Sequence, residues 1–263
     1  MSKEKLLSVE NLSITQNGGP TLVNSVSLAI ESGKCLGIMG ESGSGKSLTC
    51  KAFLGLLPIK TFAVSGDIAF CGQRLDALDM RAMNAIRGKD IAIVMQNPMT
   101  AFDPAFKLGN QIIETIRVHL PVKKQEAFEM AVCQLEKMKL PRVRELMNSY
   151  PHTLSGGMLQ RTMIAIALMM SPKLIIADEA TTALDISTQA VILTEFQKIR
   201  KLGIAMLVVS HDFGVVAQLA DDLIVMKNGN IVERGRTSDV LRHPQTAYTR
   251  ELMEASILER RIG

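Results

Sequence analysis

The octapeptide Gly40-Glu-Ser-Gly-Ser-Gly-Lys-Ser47 follows a continuous apolar run, Cys35-Leu-Gly-Ile-Met39, and opens a helical stretch from Lys46 to Leu57 that Pro58 is expected to stop. A buried strand feeding a glycine-rich turn and then a helix leaves few architectures open. The free N–H groups of the first helical turn point into the loop and make it an anion cradle. The spacing G-x-x-x-x-G-K-[ST] adds a cation, Lys46, suited to the outer phosphates of a nucleoside triphosphate, and a hydroxyl, Ser47, suited to Mg²⁺. Gly40, Glu41, Ser42, Gly43, Ser44, Gly45, Lys46 and Ser47 are therefore expected to bind ATP or GTP.

The rest of the chain gives this loop a setting. Residues 6–39 alternate apolar and polar in short runs around the turn Asn17-Gly18-Gly19-Pro20, as antiparallel strands do. Between Pro98 and Met163 prolines bracket helical pieces such as Lys123–Lys139, which predicts an inserted helical subdomain over about 97–163. Buried-strand patterns return at Leu174-Ile-Ile-Ala177 and Ala205-Met-Leu-Val-Val209, separated by a helix from about Ile186 to Leu202. Strand, helix, strand implies a parallel sheet. Leu223–Met226, Asn228-Gly229 and Ile231–Glu233 read as a hairpin, followed by a helical tail over about 241–263. The expected fold is a single α/β domain of 1–263, in which about 1–96 and 164–240 form an antiparallel β-subdomain and a parallel-sheet core.

Composition excludes several classes. The formal charge of +4 comes from 30 basic and 26 acidic residues mixed along the chain, with two Tyr, eight Phe and no Trp. With no basic run and few rings for stacking bases, nucleic acid is not expected as a partner. Cys35, Cys50, Cys71 and Cys133 lie far apart without a C-x-x-C pair, so they are read as reduced, buried thiols rather than zinc ligands or disulfides. The start MSKEKLLSVENL has no apolar leader, and the longest apolar run, Met163–Met170, is far short of the ~20 residues that a membrane span needs. The sixteen methionines read as adaptable core packing rather than soft-metal ligands.

A second chemical signal stands at Leu174-Ile-Ile-Ala-Asp178-Glu179, an apolar strand ending in two carboxylates. There Asp178 can hold Mg²⁺ and Glu179 can orient and deprotonate an attacking water. Gln96, after the run Ile91–Met95, can meet Mg²⁺ or water. His211, at the end of the strand Ala205–Val209, can contact a γ-phosphate. Each of the last two, alone, is more often structural.

Taken in order, Gly40–Ser47, Gln96, Leu154-Ser-Gly-Gly157, Asp178-Glu179, Ala183-Leu-Asp185 and His211 resemble the Walker A, Q-loop, signature, Walker B, D-loop and switch histidine of ABC-transporter ATP-binding subunits. The resemblance runs from residue 5 to about 250. It implies a P-loop NTPase of RecA-like core, with ATP and Mg²⁺ as cofactors and Glu179, His211 and Gln96 as catalytic residues. It implies Ser47, Gln96 and Asp178 at Mg²⁺. It also implies that Ser155, Gly156, Gly157, Gln160 and Asp185 bind ATP held by a partner subunit, since such subunits close in pairs. Within the family, Gln96-Asn-Pro-Met-Thr-Ala-Phe-Asp-Pro104, Ser155-Gly-Gly-Met-Leu-Gln-Arg161 and His243-Pro-Gln-Thr-Ala-Tyr-Thr249 resemble the peptide/nickel import branch, nearest to its nickel-import ATPase subunits.

That branch implies import of nickel, a metal complex or a short peptide. Its expected setting is the cytoplasmic face of the cell membrane, with two integral permease subunits, an extracellular solute-binding protein and a second ATPase subunit, for which a heterodimer is favoured over a homodimer. Met99–Asn110 then resembles the surface that receives the permease. Oligopeptide import and a soluble, non-transport ABC ATPase are the alternatives. Two residues depart from the family pattern: no aromatic precedes Ala52 to stack on adenine, and Ala180 replaces the usual proline after the catalytic glutamate. A modest preference for ATP over GTP and intact hydrolysis are the respective expectations.

Overall fold

The computed structural model describes residues 5–181 and 185–262. Ala183 and Leu184 of the expected D-loop lie outside the described residues. In chain order the elements begin with β1 (Lys5–Gln16), β2 (Thr21–Glu31), β3 (Cys35–Met39), α1 (Lys46–Phe53), β4 (Phe62–Phe70), β5 (Gln73–Arg74) and α2 (Met80–Ile86). The middle holds β6 (Ile91–Val94), α3 (Leu108–His119), α4 (Lys124–Lys137), α5 (Val143–Leu146), α6 (Gly156–Met169), β7 (Leu174–Asp178) and α7 (Ile186–Lys201). The last part is β8 (Ala205–Val209), α8 (Phe213–Leu219), β9 (Asp222–Lys227), β10 (Asn230–Arg236), α9 (Thr237–Arg242) and α10 (Ala247–Ile262). Two compact units result, Met1–Met83 with Phe196–Gly263, and Asn84–Glu195.

The first unit holds two sheets. β2, β1, β4 and β5 form an antiparallel sheet in that order. Leu7, Val9, Leu12 and Ile14 of β1 turn their side chains into the core, as the apolar/polar alternation requires. β4 has no clear sequence signature because Gly66 interrupts it. Gly66 sits at φ +107 opposite a bulge in β1, where a Cβ would lie 2.7 Å from the Asn11 carbonyl oxygen. The other sheet pairs β3 in parallel with β8 on one side and with β9 on the other, while β10 returns antiparallel along β9. Every residue of β3 and β8 is buried, which is why both read as unbroken apolar runs. Asn228 and Gly229, both at positive φ, supply the two-residue turn of the β9–β10 hairpin.

Helix α1 is shorter than the sequence suggests. Gly55 at φ +58 donates its N–H to the Ala52 carbonyl, and Leu56 donates to Lys51, which closes the helix in a Schellman motif before Pro58 is reached.

In the second unit β6 and β7 pair in parallel, and α3–α6 supply the helical part expected between residues 98 and 163. The unit is wider than that stretch because both strands belong to it. The helix expected at Lys123–Lys139 spans Lys124–Lys137 and ends where Lys139 turns to φ +54. Gly109, on α3, lets the chain around Met147 approach closely: its N–H donates to the Met147 carbonyl at 2.9 Å, and a Cβ there would meet the same oxygen at 2.5 Å.

The cysteines divide unevenly. Cys35 and Cys50 are buried, as expected, but Cys71 and Cys133 are exposed, because each occupies a solvent-facing position in its turn or helix. Burial pushes the Cys35 thiol up to about 12, although Arg200 pulls in the opposite direction. Native protein treated with a maleimide near neutral pH is expected to label at Cys71 and Cys133 and to spare Cys35 and Cys50 until it is unfolded. Intact-mass spectrometry before and after denaturant reads the difference.

Candidate functional site

In the first unit, β3 delivers the chain into the Gly40–Ser47 loop and α1 carries it away. Gly40 has its α-carbon against the β9 backbone, where a Cβ would stand 2.2 Å from the Met226 carbonyl oxygen. Gly45 is the N-cap of α1 at φ +100, without a side-chain cap, and the first turn carries no acidic residue. The helix start therefore presents its positive end with no side-chain cap from Gly45 and no competing negative charge. Gly43, at φ +81, has open space where a Cβ would be.

Lys46 is almost buried, and its ammonium donates to the carbonyls of Gly40 and Glu41, both at 2.7 Å, and to Ser44 Oγ at 3.4 Å. A lysine held by its own loop's carbonyls is a cation poised over the cradle. The loop is also tied from outside: Gly229 N–H donates to the Ser44 carbonyl at 3.1 Å, and Glu41 N–H to the Tyr248 hydroxyl at 3.2 Å. An uncapped helix start, an ammonium and a glycine concavity fit a polyphosphate. On the same unit His211 follows β8 and is exposed, between Ser210 and Asp212. Ser210 Oγ accepts from Asp212 N–H at 3.0 Å, and Asp212 caps α8 through Gly214 N–H at 2.7 Å, so the histidine's backbone is fixed on both sides.

The second unit brings Gln96 and Glu179 together. The parallel register sets Val94 beside Ala177, so the residues two positions beyond each strand partner also become neighbours. Gln96 Nε2 donates to Glu179 Oε2 at 3.1 Å. Asp178 is buried at the end of β7, and Glu179 adopts φ +49, a left-handed conformation that side chains with a Cβ rarely hold without support.

Support comes from Gln160. Its side chain is fully buried, and Nε2 donates to the Ala180 carbonyl at 2.8 Å and, at the limit of hydrogen-bond length, to the Met95 carbonyl at 3.5 Å. Gln160, expected to touch nucleotide, thus faces the loops that carry Gln96 and Glu179. Its geometry is that of a brace.

Ser155 caps α6, accepting from Met158 N–H at 3.3 Å, and Gly156 beside it is exposed with open space around it. Gly157 is constrained differently: a Cβ would fall 2.7 Å from Thr188 Cγ2. Asp185 holds that threonine, accepting from Thr188 N–H at 3.0 Å and from its hydroxyl at 2.6 Å. Asp185, also expected at nucleotide, therefore caps α7 and fixes the residue against which the signature glycine rests.

The profile of the ABC transporter family matches residues 23–182. The chain belongs to that family. This ABC subunit is 44% identical over 250 residues to the metal-staphylopine import system ATP-binding protein CntD of Staphylococcus aureus, covering 94% of this chain and 92% of that one. It is 41% identical to the oligopeptide transport ATP-binding protein OppD of Salmonella typhimurium, covering 95% and 76%. Among solved structures it superposes on cbiO1 of Clostridium perfringens, part of the ABC transporter complex cbiONQ, with a TM-score of 0.75, 26% identity and 92% coverage of both chains. It superposes on the dimeric ATP-binding cassette MJ0796, bound to ADP and phosphate, with a TM-score of 0.77, 26% identity and 88% and 98% coverage. The ABC subunit is an ATPase of the P-loop NTPase fold that couples ATP hydrolysis to import. Among the described residues no helix is long and apolar enough to cross a membrane.

Two residues of quoted motifs have structural contacts that the sequence did not reveal. Tyr248 reaches the phosphate loop from more than two hundred residues away in the chain. Gln160 stands in the stretch Ser155–Arg161 and was expected at nucleotide, but the backbone carbonyl it holds has no sequence signature.

Proposed function

We propose that this ABC subunit powers uptake of a metal bound to a small organic chelator, or of nickel, with short-peptide uptake as the second reading. The observation that carries the first is the 44% identity to the metal-staphylopine import protein over nearly its whole length. The second rests on the 41% identity to the oligopeptide transport protein.

In this reading Gly40–Ser47 and Lys46 hold the triphosphate of ATP. Ser47, Gln96 and Asp178 are the residues that would hold Mg²⁺, which would supply charge neutralisation at the phosphates. Glu179 accepts the proton of the attacking water, Gln96 fixes the carboxylate's orientation, and His211 contacts the γ-phosphate. Ser155, Gly156 and Gly157 serve the ATP of a partner subunit, to which the start of α6 offers a hydroxyl, N–H groups and a positive helix end. The pair is a heterodimer with a second ATPase subunit. It works on the cytoplasmic side of the cell membrane with two permease subunits and an extracellular solute-binding protein, and without nucleic acid.

The permease meets the second unit at a groove of about 850 Å³ lined by Phe102, Phe106, Val118, His119 and Met163. Phe106 and Val118 are 55% and 72% exposed, apolar surface that a partner would cover. Gln111 pins the rim, donating to the Asp103 and Phe106 carbonyls at 2.9 Å each.

Deleting the subunit from its native cell and measuring accumulation of radiolabelled metal–chelator complex against a labelled tripeptide tests the reading. Loss of metal uptake with peptide uptake intact is expected. The reverse pattern would move the assignment to peptides.

A further inference from the structure

Helix α10 and the segment before it are anchored to the first unit at two places. Glu233 on β10, itself largely buried, accepts from the N–H groups of Gln245 at 2.8 Å and Thr246 at 3.1 Å, and from the Thr246 hydroxyl at 3.0 Å. Burial alone would raise its pKa, but these donors outweigh burial and hold the carboxyl below its ordinary range. One turn on, Tyr248 and Leu252 join Met39, Phe213, Val216, Val225 and their neighbours in a common apolar cluster. Lys227 stands 4.3 Å above the Tyr248 ring, a cation over an aromatic face that fixes the ring's plane. The hydroxyl of this fixed ring then accepts the Glu41 N–H.

We infer that Tyr248 is a positioning residue of the nucleotide site, holding the first peptide of the Gly40–Ser47 loop so that the loop is ordered before ATP arrives. The physical reason lies in the loop's composition. Three glycines in eight residues give it more conformations to lose than an ordinary turn. A second external tie is at Ser44, so without the tyrosine the segment entering the cradle rests on bonds within its own loop, from Ser44 N–H to the Glu41 carbonyl and from Lys46, a side chain whose chemistry in the bound state is directed at phosphate. Ordering the loop in advance lowers the entropy lost on binding and strengthens affinity without any contact to the ligand. The C-terminal segment is thereby part of the nucleotide site. This inference rests on the assignment of Gly40–Ser47 as the phosphate loop.

Tyr248→Phe tests it, since phenylalanine keeps the ring, its packing and the Lys227 contact and removes only the acceptor. The full-length chain is titrated with a fluorescent ATP analogue, and the Glu41 amide is followed by ¹H–¹⁵N spectroscopy. Affinity is expected to fall roughly three- to tenfold, the loss of one hydrogen bond, with the thermal midpoint within a degree or two. The Glu41 amide resonance should move upfield and exchange faster with solvent. Val240→Ala weakens the same cluster and leaves the hydroxyl, so an equal loss of affinity in that variant would overturn the inference. Unchanged affinity in Tyr248→Phe would overturn it as well. Lys46→Ala separates the two levels: loss of binding there beside a normal Tyr248→Phe removes only the tyrosine's role, whereas retained binding in Lys46→Ala removes the loop assignment and this inference with it.

Discussion

Glu179→Gln is expected to lower ATP turnover by roughly 10²–10⁴-fold, the range over which a positioned general base acts, while the affinity for ATP changes little. The substitution keeps the shape at this position, and the amide oxygen can still accept the bond that Gln96 donates to Glu179 at 3.1 Å. An amide cannot accept the proton of the attacking water, so ATP stays intact and its bound state accumulates. Size-exclusion chromatography with excess ATP should then show a long-lived dimer that the unsubstituted chain forms only transiently. Turnover within a few-fold of the original would assign the base elsewhere.

The second large effect is expected at Gln160, a fully buried side chain that braces the Ala180 carbonyl. Gln160→Leu fills about the same volume but leaves the Ala180 carbonyl buried without its 2.8 Å donor, at a cost of about 1–3 kcal/mol. The structure can relieve that cost by letting Ala180 turn away, which moves Glu179 off its conformation at φ +49. A displacement of about 1 Å in a catalytic group commonly costs ~10²-fold in rate. The expected result is therefore a kcat lowered by one to two orders of magnitude with KM for ATP changed less than threefold. Gln160→Glu, which retains the reach but loses the donor when ionised, should behave like the leucine variant at pH 8 and recover in part toward pH 5. A KM effect as large as the kcat effect would return Gln160 to nucleotide contact.

Much of the architecture is legible from local rules. Cys35–Met39 and Ala205–Val209 coincide with β3 and β8 to the residue, because a strand covered on both faces must be apolar throughout and its ends are marked by glycine or serine. The Asn228-Gly229 turn is legible for a similar reason: two successive positive φ values narrow the choice of residue sharply. The stop of α1 was misplaced because proline is the louder signal, although Gly55 three residues earlier satisfies the helix's last carbonyls. β4 is hidden because its centre accommodates a bulge in another strand, a demand of tertiary fit rather than of period.

The same division holds for the chemistry. Residues that would face a phosphate, such as Lys46 and Ser47, are constrained in type and spacing by the ligand, and so they read directly. Gln160, Thr188 and Tyr248 act on the backbone or on a missing Cβ of another segment. A backbone group has no residue type, so nothing in the linear sequence marks its partner. The exposed Cys71 and Cys133 show the converse: thiols read as core by habit stand in solvent because nothing in their local pattern demanded burial.

The ties on the phosphate loop also set an order of events during synthesis. The loop is complete once Ser47 has been made, but Gly229, whose N–H holds Ser44, and Tyr248, whose hydroxyl holds Glu41, leave the ribosome only some two hundred residues later. A nascent chain would thus carry the whole phosphate-binding motif through the synthesis of some two hundred further residues without the scaffold that stiffens it. Tight capture of ATP then waits for the helix that carries Tyr248, and a chain stalled or clipped before that residue is expected to bind nucleotide more weakly.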